Sequence, residues 1–289
     1  MPVIPLSPDD EAAIYAQLPD TERLFSLTVS IPPDLISMVL PLTGVHHKSR
    51  FPVAAVCLHD SAYTMQEALF AICEAMKHHL YYAERRDPPD AHAAVFYARF
   101  FADDAALRAY AAGEHLAAAI LKIQDLDVSA LSTTTQRGSS LQARVGLFMA
   151  KCLPDHPVTA AVVALASSAN WQRTVRYRNL WVHEQPPRIA GLGDRFKRDV
   201  RWQESPDGQS VSMGLGGADA PELSAPELLG FVRGGLIAFV QALEAVVTWY
   251  VARVRPLGIT VEPGHHEFHL SLGGTQRNPD DEPPSEPGV

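Results

Sequence analysis

Cysteine is scarce in this chain of 289 residues, with Cys57, Cys73 and Cys152 as the whole set and no paired spacing among them. That excludes a disulfide framework and a cysteine-based zinc site, and it predicts buried thiols in a reducing cytoplasm. Long apolar runs are equally short: leaving the neutral histidines aside, the longest uncharged stretch is Pro157 to Gln172, and it contains Ser167, Ser168, Asn170 and Gln172. A membrane span needs more. The apolar stretch after Ala225 carries Arg233 and Glu244, so no transmembrane helix and no membrane partner are expected. Met1 to Glu11 holds Asp9, Asp10 and Glu11 where a secretory leader has basic and then apolar residues, which predicts a cytoplasmic protein. Net positive charge is missing as well. A formal charge of −9 argues against nonspecific coating of a polyanion. There is no phosphate-loop signature around Gly214-Leu215-Gly216-Gly217, no nucleophile elbow, and no acidic cluster of the metal-dependent nuclease kind. His265-His266-Glu267-Phe268-His269 alternates with Leu270 and Leu272 as a strand does, so no metal site is assigned and no cofactor is expected.

Helical periodicity fills most of the remainder. At 47% hydrophobic and 20% charged the chain is an ordinary globular one. Residues 1–60 read as an irregular segment with a short helix, punctuated by Ile31-Pro32-Pro33 and Phe51-Pro52, with room for short strands within 24–58. From Ser61 to Arg85, Met65, Leu69, Ile72, Met76 and Leu80 mark one buried helix face. Helical sequence resumes after Pro88-Pro89-Asp90 and runs to Ile123, with a break placed at Asp103-Asp104, where two acids suit a new N-terminus. Leu141, Val145, Phe148 and Cys152 mark another helix, and the next begins at Pro157. Val200-Arg201-Trp202 and Val211-Ser212-Met213 flank Pro206-Asp207-Gly208 as a small β-hairpin within 198–214. A long helix spans Ala225 to Arg255. The expected fold is thus mainly α: a helical domain over 61–255 with a hairpin insertion, an extended segment over 256–272, and a disordered tail over 273–289, rich in Pro, Asp, Glu and Gly.

One segment carries the residue types of phosphate chemistry. Arg178-Asn179-Leu180-Trp181-Val182-His183 closes a helix shortly before Pro186-Pro187. Trp171 to Gln203 holds eight basic residues against three acids, a local excess of five positive charges in an acidic protein. At positions three and four apart, Ala169, Gln172, Arg176, Asn179 and His183 form a stripe that ends in a polar tip. A second stripe sets Arg178 between the apolar Val175 and Val182, where an arginine needs a partner or a ligand. Arg178 stands roughly 140° from His183 on a regular helix, so their convergence calls for a loosened helix end or a second protomer.

Arg178, its polar follower Asn179 and His183 after four intervening residues resemble the HEPN superfamily (higher eukaryotes and prokaryotes nucleotide-binding), as does a helical bundle with the motif near the end of a long helix. The resemblance implies a metal-independent endoribonuclease that cleaves single-stranded RNA as a homodimer, with Arg178, Asn179 and His183 catalytic. His183 would exchange the proton of a ribose 2′-hydroxyl or of the leaving oxygen, Arg178 would bind the scissile phosphate, and Asn179 would orient His183 or donate a further hydrogen bond. Arg173 and Arg176 would bind RNA or phosphate, and Tyr177 and Trp181, one turn apart, would stack on unpaired bases. DNA would be spared and a 2′,3′-cyclic phosphate formed. Some members are toxins or defence effectors silenced by an antitoxin or regulatory partner that modifies a Tyr two residues after the His; Gln185 occupies that position here. Other members are noncatalytic modules that bind nucleotide, RNA or a protein.

Overall fold

Two long alanine-rich helices, α4 (Phe51–Glu84) and α5 (Ala91–Ile123), form the antiparallel hairpin on which the rest is built. The computed structural model describes residues 5–43, 50–84, 91–126, 128–131, 140–183, 187–190, 192, 200–204, 211–215 and 223–264. Ala54, Ala62, Ala68 and Ala75 on α4 and Ala98, Ala105, Ala109 and Ala112 on α5 are all fully buried. Small side chains let the two backbones approach closely, and the Ser61 hydroxyl donates to the Ala112 carbonyl across the seam at 2.9 Å.

Three short helices precede this pair: α1 (Pro8–Tyr15), α2 (Glu22–Val29) and α3 (Pro33–Val39). Ser7 caps α1 by accepting from the Asp10 backbone N–H at 3.1 Å. After α5 come α6 (Leu141–Cys152), α7 (Thr159–Ser167), α8 (Ala169–His183) and α9 (Ala225–Val254). α9 starts at a capping box in which the Ser224 hydroxyl accepts from the Glu227 backbone N–H and the Glu227 carboxylate accepts from the Ser224 backbone N–H. Its stripe of Leu228, Val232, Leu236, Phe239, Leu243, Val246 and Tyr250 is fully buried against α4, α5, α7 and α8. Among the described residues only the helix over Ala225–Leu257 has the length and apolar composition to cross a membrane, and half of that window is buried inside the protein.

α8 and α9 cross closely at Gly235, where a Cβ would stand 2.9 Å from Thr174 Oγ1. The single proton of that hydroxyl is shared between the Asn170 carbonyl at 2.9 Å and the Phe231 carbonyl of α9 at 3.1 Å. Between the two helices lie four short strands: β1 (Ile189–Ala190), β2 (Val200–Glu204), β3 (Val211–Leu215) and β4 (Leu223–Ser224). β2 and β3 form the expected antiparallel hairpin, with Trp202 opposite Met213. β1 pairs in parallel with β4, which ties the chain leaving α8 to the cap of α9.

The fold is mainly α with a hairpin insertion, as the sequence predicts, yet several boundaries differ. α4 begins at Phe51, ten residues before the expected start, and residues 24–43 and 50–58 contain no strand. Phe51, Ala54, Ala55 and Leu58 continue the buried face, and Pro52 sits in the first turn, where its missing N–H costs nothing. α5 is unbroken at Asp103-Asp104: each acid pairs with an arginine one turn away, Asp103 with Arg99 and Asp104 with Arg108. The helix expected from Pro157 to His183 divides at Ser168, which turns extended (ψ 120°) and whose hydroxyl accepts from the Trp171 backbone N–H at 3.4 Å, opening α8. Of the three cysteines Cys73 is buried, Cys57 is half-buried and Cys152 is exposed rather than buried. The hairpin turn, the His265–His269 segment and the 273–289 tail lie outside the described residues.

Candidate functional site

The end of α8 carries two different sets of side chains on its two sides. On the outer side Arg173, Arg176, Asn179 and His183 are exposed, and Arg178 is half-buried. Arg178 Nη1 donates to Asn179 Oδ1 at 3.0 Å and lies 3.3 Å from His183 Nε2. A guanidinium N–H can donate to that ring nitrogen only in the tautomer that carries its proton on Nδ1. The three residues therefore meet within one protomer on a helix that stays regular through His183, which corrects the expectation of a loosened end or a second chain. The side-chain length of arginine carries the guanidinium around the helix and closes the angular gap between the Cα positions.

What holds Arg178 in place comes from α5. Its guanidinium carbon stands 4.0 Å from the centroid of the Tyr110 ring, a cation–π contact on a partly desolvated face. One turn further along α5, Glu114 faces the same cation. Burial pushes the Glu114 carboxyl above the usual carboxylate range, against the opposing pull of the Gln142 and Leu141 backbone N–H groups, Arg178 and His115. Burial likewise raises the Tyr110 phenol, helped by Glu114 and opposed by Arg178. Arg178 Nε is buried without a hydrogen-bonding partner among the described residues. The sequence reading that an arginine on this face needs a partner is met by an aromatic ring and a neighbouring imidazole rather than by a carboxylate in direct contact.

The inner side of α8 is structural. Tyr177, 2% exposed, donates its hydroxyl to Asp103 Oδ1, and Trp181 Nε1 donates to Asp103 Oδ2 at 3.0 Å. Arg99 Nε reaches both oxygens of the same carboxylate at 3.0 and 3.1 Å, and its terminal nitrogens donate to the Pro187 carbonyl at 3.3 Å. This buried junction fixes the end of α8, and the chain just beyond it, onto α5. It also corrects the stacking role expected of Tyr177, whose ring is buried and whose hydroxyl is committed to Asp103, whereas Trp181 is half-buried with its indole N–H held by the same carboxylate. Arg173 lies over the Phe231 ring at 4.7 Å and faces Glu227. Arg176 is exposed, forms no hydrogen bond or ion pair among the described residues, and lines grooves on both flanks of α8. Arg195, Lys197 and Arg198 of the basic stretch lie outside the described residues.

Tyr110, Glu114, Asp103 and Arg99 were missed by motif reasoning. Arg99 and Asp103 had a legible signal: an opposite-charge pair four apart, flanked by Ala98, Ala102, Ala105 and Ala106, marks an ion pair on a buried face. Among the described residues no group of three or more His, Cys, Asp or Glu side chains is placed to hold a metal ion. No family model matches the chain, and neither the curated proteins nor the solved structures give a match.

Proposed function

We propose that the protein is a metal-independent endoribonuclease that cleaves single-stranded RNA by attack of the ribose 2′-hydroxyl, with Arg178, Asn179 and His183 as its reacting centre. The observation that carries this reading is the contact of Arg178 Nη1 with His183 Nε2 at 3.3 Å on an exposed helix end. A cation that binds phosphate and a base that exchanges protons near neutral pH are thereby within one phosphate's reach of each other.

In the proposed reaction the scissile phosphate displaces the Arg178–His183 contact and takes the guanidinium as its counter-charge. The neutral His183 nitrogen, released from Arg178, accepts the 2′-hydroxyl proton as the oxygen attacks phosphorus. The 5′-oxygen leaves and takes a proton from solvent water, a 2′,3′-cyclic phosphate remains, and His183 returns the proton it accepted to solvent. Arg178 stabilises the added negative charge in the transition state, Asn179 holds Arg178 through its carboxamide oxygen, and Tyr110 supports the guanidinium from below. Arg176 and Arg173 supply charge for the strand on either side. The resemblance to the HEPN superfamily rests on the same three residues and adds a homodimer to the proposal, with two such centres facing one another.

A noncatalytic binding module is the second reading, favoured by Arg176, which is exposed and has no hydrogen bond or ion pair among the described residues, and which serves anion binding whether or not cleavage follows. Purified protein incubated with single-stranded RNA in EDTA separates the two. Cleavage lost in both Arg178→Ala and His183→Ala supports the nuclease. Absence of cleavage, with RNA binding weakened by Arg176→Ala, replaces it with the binding module.

A further inference from the structure

The hairpin of α4 and α5 carries a groove of about 900 Å³ that is bounded by the turn before α2. Tyr63 and Phe70, two turns apart on α4, and Phe100 on α5 line it, with Phe25 of α2 set against Tyr63 at 6.4 Å between ring centroids. Phe96 continues the row beyond the groove, stacked on Phe100 at 6.2 Å. Tyr63, Phe70, Phe96 and Phe100 are each between 47% and 59% exposed. Contacts beneath the rings hold the face in shape. Phe70 and Phe100 both pack edge-on against the buried Phe101, and Gln66 Nε2 donates to the Thr21 hydroxyl at 2.6 Å, which ties the turn before α2 to α4. A row of exposed rings beside charged groups is the make-up of an interaction surface rather than of an ordinary solvated face.

The charge of the groove decides what covers it. Asp20, Glu22, Glu67 and Asp104 line it against a single cation, Arg108. Arg108 joins the two helices, Nη1 to Glu67 and Nε to Asp104 at 2.7 Å, and offsets one of the four carboxylates without neutralising the groove. Asp20 and Glu22 are exposed and make no ion pair among the described residues. A second copy of this chain seated here by a two-fold axis would set two such acidic rims against each other, and a polyanion would meet the same repulsion. A cation gains twice: it is drawn to the π faces of the rings and to the carboxylates beside them. Arginine suits this better than lysine, because its planar guanidinium stacks on a ring while its edge donates to a carboxylate.

We propose that the groove on α4 and α5 docks an extended, arginine-bearing segment of a partner protein. Guanidinium groups of the segment lie on Tyr63, Phe70 and Phe100, and the acidic rim of Asp20 and Glu22 supplies the counter-charge. The run from Tyr63 to Phe70 measures about 10 Å along α4, the length of about three extended residues, so a hexapeptide covers it. This assignment does not depend on RNA cleavage.

The test is fluorescence anisotropy of a labelled hexapeptide of alternating arginine and leucine, whose arginines share one face when extended. It is titrated with the full chain in about 0.15 M salt, beside the same peptide with citrulline in place of arginine, which keeps the shape and loses the charge. Saturable one-to-one binding of the arginine peptide is expected, at least about tenfold tighter than that of the citrulline peptide. Phe70→Ala combined with Phe100→Ala leaves the charge of the protein unchanged and is expected to weaken binding at least about fivefold. Asp20→Asn combined with Glu22→Gln is expected to weaken it as well, whereas Asp155→Asn combined with Glu244→Gln, which removes the same charge at exposed positions outside the groove, is expected to change it by less than about twofold. No saturable binding of the arginine peptide overturns the proposal, as does equal binding of the two peptides. Those two results are read on the unaltered chain and stand even where a variant does not fold. Binding unaffected by loss of the two rings, or weakened as much by the distant charge pair as by the rim pair, also overturns it. So does self-association of the chain that is lost with Phe70 and Phe100, because a second copy then covers the face.

Discussion

Replacement of Asp103 by alanine tests whether the buried junction, rather than the exposed cluster, holds the end of α8. Asp103 is 3% exposed and accepts from Arg99, Tyr177 and Trp181. Its removal leaves the Arg99 guanidinium, itself 4% exposed, with the Pro187 carbonyl but without its counter-charge. Orphaning one member of a buried ion pair costs about 3–5 kcal/mol, and each neutral donor left without its acceptor adds about 1–3 kcal/mol. Relaxation and water entry offset part of that, so a loss of about 5 kcal/mol is expected, a large share of the roughly 5–15 kcal/mol that stabilises a typical domain. Urea unfolding followed by far-ultraviolet circular dichroism measures the loss. Arg99→Met combined with Asp103→Leu is expected to recover part of it, because a buried pair replaced by apolar side chains leaves no orphaned charge. A loss below about 1 kcal/mol for Asp103→Ala refutes the assignment of the junction as the clamp.

Three further outcomes follow from individual contacts. Gly230→Ala meets nothing within 4 Å and is expected to stabilise α9 by about 0.5–1 kcal/mol through helix propensity, whereas Gly235→Ala drives a Cβ to 2.9 Å from the Thr174 hydroxyl, whose proton is held between two carbonyls, and is expected to destabilise; thermal melts of both variants check the contrast. His78, 1% exposed and set between Tyr97 and Phe101, has its pKa lowered by burial, with Glu74 opposing and Lys77 assisting, so its contribution to stability is present above pH 6.5 and lost as pH falls below it toward the folded value. The slope it adds reaches at most about 1.4 kcal/mol per pH unit, and His78→Phe is expected to flatten the unfolding free energy between pH 7.5 and 5.5. Tyr110→Leu removes the ring beneath Arg178, worth about 0.5–2 kcal/mol, and is expected to slow RNA cleavage several-fold while circular dichroism stays unchanged; an unaltered rate counts against Tyr110 as a positioning residue.

The helical architecture was largely legible because its signals are local. The apolar stripe from Leu229 to Tyr250 places α9 almost to the residue. The errors came where a local signal was overruled by a partner distant in sequence. Asp103 looks like a helix start until Tyr177 and Trp181, more than seventy residues away, arrive to bind it within an unbroken helix. Phe51-Pro52 looks like punctuation until Tyr250 stacks on Phe51 at 4.7 Å and accepts the chain into the core. The site was legible as residue types: Arg178, Asn179 and His183 do lie together at the end of α8. Its support was not, because Tyr110 and Glu114 belong to no motif and act only through the packing of α5 against α8. Helix geometry also misjudged the distance from Arg178 to His183, since angular separation of Cα positions ignores the reach of a long side chain.

The most direct test of the central claim compares a single-stranded RNA with the same sequence as DNA in the presence of EDTA, with the fragment ends identified by mass. The account predicts RNA fragments ending in 2′,3′-cyclic phosphate, intact DNA, and rates at least about 100-fold lower for both Arg178→Ala and His183→Ala. Cleavage of the DNA strand, or RNA cleavage that survives in both variants, contradicts it.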